Sequence, residues 1–262
     1  MLEVRHITKQ YTVKNQRKGE NVFTSVDDIS LKLKPDSSYA LIGESGSGKS
    51  TLAMMMAAVL PPTHGEILMD GKDIWKLTPK ERRRLRGDLQ LVLQNSKGAL
   101  DPRKTVYQSI EEPLKNLCQL SREEQQRTIY EIVEKVQLEK SLLTRKPNEL
   151  SGGQQSRVCI ARAMCLSPKF VIFDESVSGL DVTVQKKVLD LLLELRKEFH
   201  GTYLFITHDI DVALYMSDHI FVMKEGHLLD EVQNALSYDA FQHPYSRELI
   251  ASLPPKSPHY RL

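Results

Sequence analysis

The sequence predicts an α/β protein, a parallel sheet wound by helices on both faces and interrupted by a helical insert. Three observations carry this. Short apolar runs alternate with helical stretches, the pattern of a parallel sheet. One such run enters a glycine-rich loop that opens a helix. Residues from about 97 to 148 change character and hold long helical polar–apolar patterns.

The elements follow in order. An extended start begins at Leu2–Val4, and the polar stretch from Lys14 to Asn21 reads as a hairpin loop. Ile29 to Leu33 alternates with period two, a half-buried strand. Tyr39 to Ile42 is a short apolar run ending at Gly43, the form of a buried strand entering a tight turn. Helix formers from Ser50 to Leu60 stop at Pro61-Pro62. Gly65 to Gly71 reads as a strand and an Asp-Gly turn, and Leu89 to Leu93 as another strand. Within the insert, Arg122 to Val136 is a helix capped by Ser121, with Glu124 three residues on. The sheet resumes at Phe170–Phe173, Tyr203–Ile206 and Ile220–Met223, with a helix from Val182 to Phe199. The tail beyond about residue 236, with Pro244, Pro254, Pro255 and Pro258, reads as an appended surface segment.

Composition narrows the function classes. A chain of 262 residues suits one large domain with an inserted subdomain. The net charge of +2 gives no global reason to expect nucleic acid. The longest apolar run, Leu52 to Leu60, is far short of the roughly 20 residues a membrane span needs, and the N-terminus carries no signal-peptide pattern. Cys118, Cys159 and Cys165 lack metal-site spacing and read as thiols in a reducing compartment. The run Arg82-Arg83-Arg84-Leu85-Arg86 reads as a solvated helix face, with anionic lipid headgroups as the alternative contact.

Gly43-Glu44-Ser45-Gly46-Ser47-Gly48-Lys49-Ser50 fits G-x-x-x-x-G-K-[ST] completely, in the strand–loop–helix context the motif requires, with Thr51 next. Its glycines let backbone N–H groups turn inward at a helix N-terminus, which makes an anion nest. Lys49 is expected to reach the β- and γ-phosphates and the Ser50 hydroxyl to ligate Mg²⁺. Such a loop needs a metal-holding carboxylate at a strand end. The apolar strand Phe170–Phe173 ends in Asp174, the expected Mg²⁺ ligand, and Glu175, placed to polarise an attacking water. Leu150-Ser151-Gly152-Gly153-Gln154 precedes a helical stretch from Arg157 to Leu166 and reads as a second anion-binding helix N-terminus. A second such loop makes sense if it closes on a nucleotide held by another chain.

With these motifs the sequence resembles the ATP-binding cassette family over about residues 1 to 235. The resemblance implies a P-loop NTPase (RecA-like) core with an antiparallel β subdomain at the N-terminus and an inserted α-helical subdomain. The implied division is a core of residues 1–96 and 149–235, a helical subdomain at 97–148 and an extension at 236–262. It also implies ATP and Mg²⁺ as ligands. Gln94 resembles the glutamine that senses Mg²⁺ and the membrane partner, which would make it a metal ligand with Ser50 and Asp174. Ser178-Gly179-Leu180-Asp181 resembles the D-loop, with Gly179 where alanine is usual. His208 matches the switch histidine at the γ-phosphate, and Tyr11 lies where an aromatic stacks on adenine.

The segments from Gln94 to Val106, Asp181 to Gln185 and Gln242 to Leu249 look like those of ATPases serving dipeptide, oligopeptide and nickel uptake. That subfamily implies a peripheral subunit on the cytoplasmic face of the membrane. Its partners would be two integral membrane permease subunits, a second cassette ATPase related to this one and, indirectly, an extracytoplasmic solute-binding protein. The cargo would be peptide, nickel or a metal chelate. The alternatives are an ATPase subunit of an export or lipid-extraction complex, and a soluble cassette protein acting on ribosomes or DNA.

Overall fold

The computed structural model describes residues 1–15, 19–93, 96–176, 181–234 and 237–252. In chain order they form β1 (Leu2–Asn15), β2 (Gly19–Leu33), β3 (Ser38–Ile42), α1 (Lys49–Met56), β4 (His64–Met69), β5 (Lys72–Asp73), α2 (Pro79–Asp88), β6 (Leu89–Val92) and α3 (Ser96–Ala99). There follow α4 (Val106–Leu117), α5 (Arg122–Lys135), α6 (Gly152–Met164), β7 (Phe170–Asp174) and α7 (Val182–Phe199). The chain continues with β8 (Thr202–Thr207), α8 (Ile210–Met216), β9 (His219–Lys224), β10 (His227–Gln233) and α9 (Pro244–Ala251). Two compact units result: Met1–Leu77 with Leu204–Leu262, and Thr78–Tyr203. The expected α/β class is observed, with parallel strand pairs, an antiparallel β sheet and helices.

In the first unit β2, β1, β4 and β5 form an antiparallel sheet in that order. The β1–β2 ribbon runs from Leu2↔Leu33 to Asn15↔Gly19. The expected loop at 14–21 is therefore largely strand, since Lys14 pairs with Glu20; positions 16–18 lie outside the described residues. Backbone pairing needs no apolar side chains, so a polar sequence can still extend an antiparallel ribbon. β3 pairs in parallel with β9, Tyr39↔His219 to Ile42↔Val222, and β10 pairs antiparallel with β9. All five residues of β3 are buried, as a strand covered on both faces must be.

Helix α1 ends at Met56, short of the expected Leu60. Ala58 turns left-handed (φ 56°), and the N–H groups of Val59 and Leu60 both donate to the Met54 carbonyl. The left-handed turn at Ala58 thus ends the helix before the prolines are reached.

The tail differs from the expected surface segment as far as it is described, to residue 252. Phe241 and Tyr245 are 1% and 6% exposed and pack in one cluster with Ala40, Ile42, Ile220 and Val222. Phe241 precedes α9 in extended backbone and Tyr245 lies in its first turn, so the chain entering the helix carries both rings into the core. Pro254, Pro255 and Pro258 lie outside the described residues.

In the second unit β6 and β7 pair in parallel, Leu89↔Phe170 to Val92↔Phe173. The Phe173 and Tyr203 rings meet edge-on at 5.3 Å, and the Tyr203 hydroxyl lies 3.7 Å from Met164 Sδ on α6. Residues 97–148, the expected helical insert, fall inside this unit and are helical for most of their length. The expected cap at Ser121 forms reciprocally. Ser121 Oγ accepts from Glu124 N–H at 3.2 Å, and Glu124 Oε2 accepts from Ser121 N–H at 2.7 Å. On α2 only Leu85 is buried, and Arg82, Arg83, Arg84 and Arg86 are exposed around it. Cys159 and Cys165 are buried and in no disulfide, with burial pushing the Cys165 thiol up to about 12, whereas Cys118 is partly exposed.

Candidate nucleotide site

The glycine-rich loop leads from β3 to α1 in the first unit. Gly48 is the N-cap of α1 at φ 99°, where a Cβ would lie 2.2 Å from the Ser25 carbonyl oxygen. Only glycine fits that approach. The loop is also sewn to its surroundings. Gly226 N–H donates to the Ser47 carbonyl at 3.0 Å, and Ser25 Oγ donates to Thr51 Oγ1 at 3.0 Å.

Lys49 is 5% exposed. Its ammonium donates to the carbonyls of Gly43 and Glu44, each at 2.7 Å, and to Ser47 Oγ at 3.3 Å. A buried cation held by loop oxygens is a preformed counter-charge for an anion.

The start of α1 differs from the other helices. No side chain caps it. Every other described α-helix of eight residues or more has a capping side chain: Thr78, Thr105, Ser121, Ser151, Asp181 and His243. With no side chain capping it, the positive end of the helix dipole at α1 is open to an external anion. Ser45, Gly46 and Ser50 are exposed on this loop and Glu44 with them. A polyphosphate fits these donors.

In the second unit, Asp174 is 6% exposed at the end of β7 and Glu175 follows in the left-handed region (φ 44°). A non-glycine residue in that region is strained by about 1 kcal/mol or more. The Ser156 hydroxyl of α6 donates to the Ser176 carbonyl at 3.2 Å, tying this corner to α6.

Ser151, the N-cap of α6, is exposed. Its Oγ accepts from Gln154 N–H at 3.3 Å, and Gln154 Oε1 accepts from Ser151 N–H at 2.9 Å. The nest expected here is thus partly closed by its own side chains. The first-turn amides not engaged in that box are those of Gly152 and Gly153, which lack side chains to block an approaching anion. Leu150 is buried and closes the preceding turn.

Gln155 was not singled out by the sequence. Its Nε2 donates to the Pro147 and Leu150 carbonyls at 2.8 and 3.2 Å, which staples the turn ahead of Ser151. Its buried Oε1 has no hydrogen-bond partner among the described residues. The doubled glutamine was the available signal.

His208 is exposed in the loop after β8, in the first unit with Lys49. Asp181 caps α7, accepting from Val184 N–H at 3.0 Å; Ser178, Gly179 and Leu180 lie outside the described residues, as does Gln94. Tyr11 is 37% exposed on β1 and pairs across the ribbon with Phe23, which is 56% exposed. Directly opposite residues share a face, so Phe23 extends the aromatic surface that sequence reading placed at Tyr11 alone. Among the described residues no cluster of three or more His, Cys, Asp or Glu could hold a metal, and no helix is long and apolar enough to cross a membrane.

Known proteins share this organisation. The family described as ABC transporter matches residues 26–178. The chain is 38% identical to the oligopeptide transport ATP-binding protein AppF of Bacillus subtilis, covering 97% of this chain and 78% of that one. It is 36% identical to the dipeptide transport ATP-binding protein DppF of Escherichia coli, covering 100% and 78%. It is 40% identical to the glutathione import ATP-binding protein GsiA of Pectobacterium atrosepticum, covering 90% of this chain and 38% of that one. An ATP-binding cassette solved as a dimer in a post-hydrolysis state with ADP and Pi matches with TM-score 0.79 at 31% identity, covering 90% and 99%.

Proposed function

The chain belongs to the ABC transporter family, whose members hydrolyse ATP, and we propose that it is the ATP-hydrolysing subunit of a peptide importer. The observation that carries the nucleotide assignment is the uncapped start of α1 beside the buried Lys49 ammonium. AppF and DppF, transport ATP-binding proteins for oligopeptide and dipeptide that are similar over nearly the whole chain, support a peptide cargo, and the glutathione import protein GsiA supports the direction. Nickel or a metal chelate is the other cargo of the subfamily the sequence resembles. The partners are two separate membrane permease subunits and a second cassette ATPase, with a solute-binding protein acting through the permeases. The chain would then sit on the cytoplasmic face of the membrane.

The roles follow from chemistry. Gly43 to Thr51 bind the phosphates, with Lys49 as the cation between the β- and γ-phosphates. Ser50, Gln94 and Asp174 offer hard oxygen donors that suit Mg²⁺, which when bound neutralises charge on the phosphates. Glu175 accepts the proton of the attacking water, and His208 donates a hydrogen bond to the γ-phosphate. Leu150 to Gln154 face the ATP of the partner chain, with Asp181 near the same junction. Tyr11 stacks on adenine.

Tyr11→Ala is expected to raise the Michaelis constant for ATP about 5-fold, from loss of stacking worth about 1 kcal/mol. Tyr11→Trp should retain binding, and equal loss in both variants would place the adenine contact elsewhere. The import reading is tested by affinity purification from membranes. Integral membrane subunits should copurify, and peptide uptake should stop when the gene is deleted. Recovery with ribosomes or DNA, and no membrane subunit, would contradict it.

A further inference from the structure

Glu44 poses an electrostatic problem. It is an acidic residue one position into a loop that takes a polyanion, and its own carbonyl is a partner of the Lys49 ammonium at 2.7 Å. A carboxylate beside bound phosphates repels them through a medium less screening than bulk water. The structure shows where this carboxylate goes. The Tyr245 hydroxyl of α9 donates to Glu44 Oε1 at 3.1 Å, across 201 positions of sequence.

Tyr245 is itself held from several sides. Its ring is 6% exposed within the core of the first unit. The Lys224 ammonium lies 4.3 Å from the ring centroid, so a positive charge stands behind the phenol. The next residue, Ser246, donates through Oγ to Asp230 Oδ2 at 2.7 Å, and His243 N–H donates to the same oxygen at 3.3 Å. His243 Nδ1 caps the helix by accepting from Tyr245 N–H at 3.2 Å. Asp230 on β10 thus anchors the start of α9, and α9 presents one hydroxyl to the loop. Burial and the Glu44 carboxylate both push the Tyr245 phenol above its ordinary range, so it stays a donor at neutral pH.

We propose that Tyr245 is a positioning residue of the phosphate loop, holding the Glu44 carboxylate toward α9 and away from the incoming phosphates. The C-terminal helix is then a working part of the ATP site. This rests on the reading that Gly43 to Ser50 bind the ATP phosphates.

The test is a double-substitution cycle read by equilibrium titration of the purified full-length chain with Mg-ATP. Tyr245→Phe keeps the buried ring and removes only the donor. It should weaken ATP binding about 3- to 10-fold, the range of one lost hydrogen bond. Glu44→Gln removes the charge that needs holding. In that background Tyr245→Phe should change binding by less than about 2-fold. In the assembled transporter the single Tyr245→Phe change should raise the Michaelis constant and leave kcat unchanged. Unaltered affinity in Tyr245→Phe would overturn the proposal, as would an equal loss in both backgrounds, which would mark Tyr245 as packing only. Failure of the unsubstituted chain to bind ATP would instead overturn the reading of the loop, and the proposal with it.

Discussion

Glu175→Gln is expected to lower ATP hydrolysis by roughly 10²–10⁴-fold, the contribution of a positioned general base. The substitution preserves shape and hydrogen-bonding reach, but an amide cannot accept a proton. Glutamine has no greater difficulty than glutamate with the left-handed backbone at this position. Asp174, buried at the end of β7, is untouched, so nucleotide and metal contacts should survive. Phosphate release from the purified transporter should therefore collapse while ATP stays bound and dimers accumulate. Near-normal turnover would remove Glu175 from the mechanism.

Lys49→Ala should act on binding. A hydrogen bond to a charged group is worth about 1.5–3 kcal/mol, so ATP affinity should fall roughly 10- to 100-fold. The free protein adds a second effect. Lys49 donates to Gly43, Glu44 and Ser47, so the alanine variant also loses the bonds that fold the loop back on itself. Titration with ATP should show the loss directly, and an unchanged dissociation constant would contradict the role given to Lys49.

What the sequence made legible is what local chemistry determines. The phosphate loop was readable because its glycines, its lysine and the strand and helix around it are contiguous. The cap at Ser121 was readable because Glu124 is three residues away, and the helix expected between strands from Val182 to Phe199 is α7. The length of the β1–β2 ribbon was not readable, since polar residues pair through their backbones as well as apolar ones do. Nor was the early end of α1, which a left-handed alanine decides. Long-range contacts escaped altogether. Phe23 becomes a neighbour of Tyr11 only through ribbon register, and Tyr245 meets Glu44 only once the tail has folded onto β3 and β9. Gln155 reads as one more polar residue in the sequence, whereas in the fold its amide bridges two carbonyls ahead of Ser151.

The central claim is that each ATP is completed by two chains, Lys49 from one and the turn at Ser151 from the other. Ser151 is exposed at the start of its helix, as a residue serving a partner must be. Lys49→Ala and Ser151→Arg should each abolish hydrolysis alone, the first by removing a phosphate cation and the second by placing bulk over the glycine amides. The decisive measurement is ATPase activity after mixing equal amounts of the two variants, where the unsubstituted chain alone is active. In a mixed dimer one site takes both lesions and the other takes neither. Random pairing makes half the dimers mixed, so activity should return to roughly a quarter of that of the unsubstituted protein. No recovery on mixing would contradict a site shared between chains.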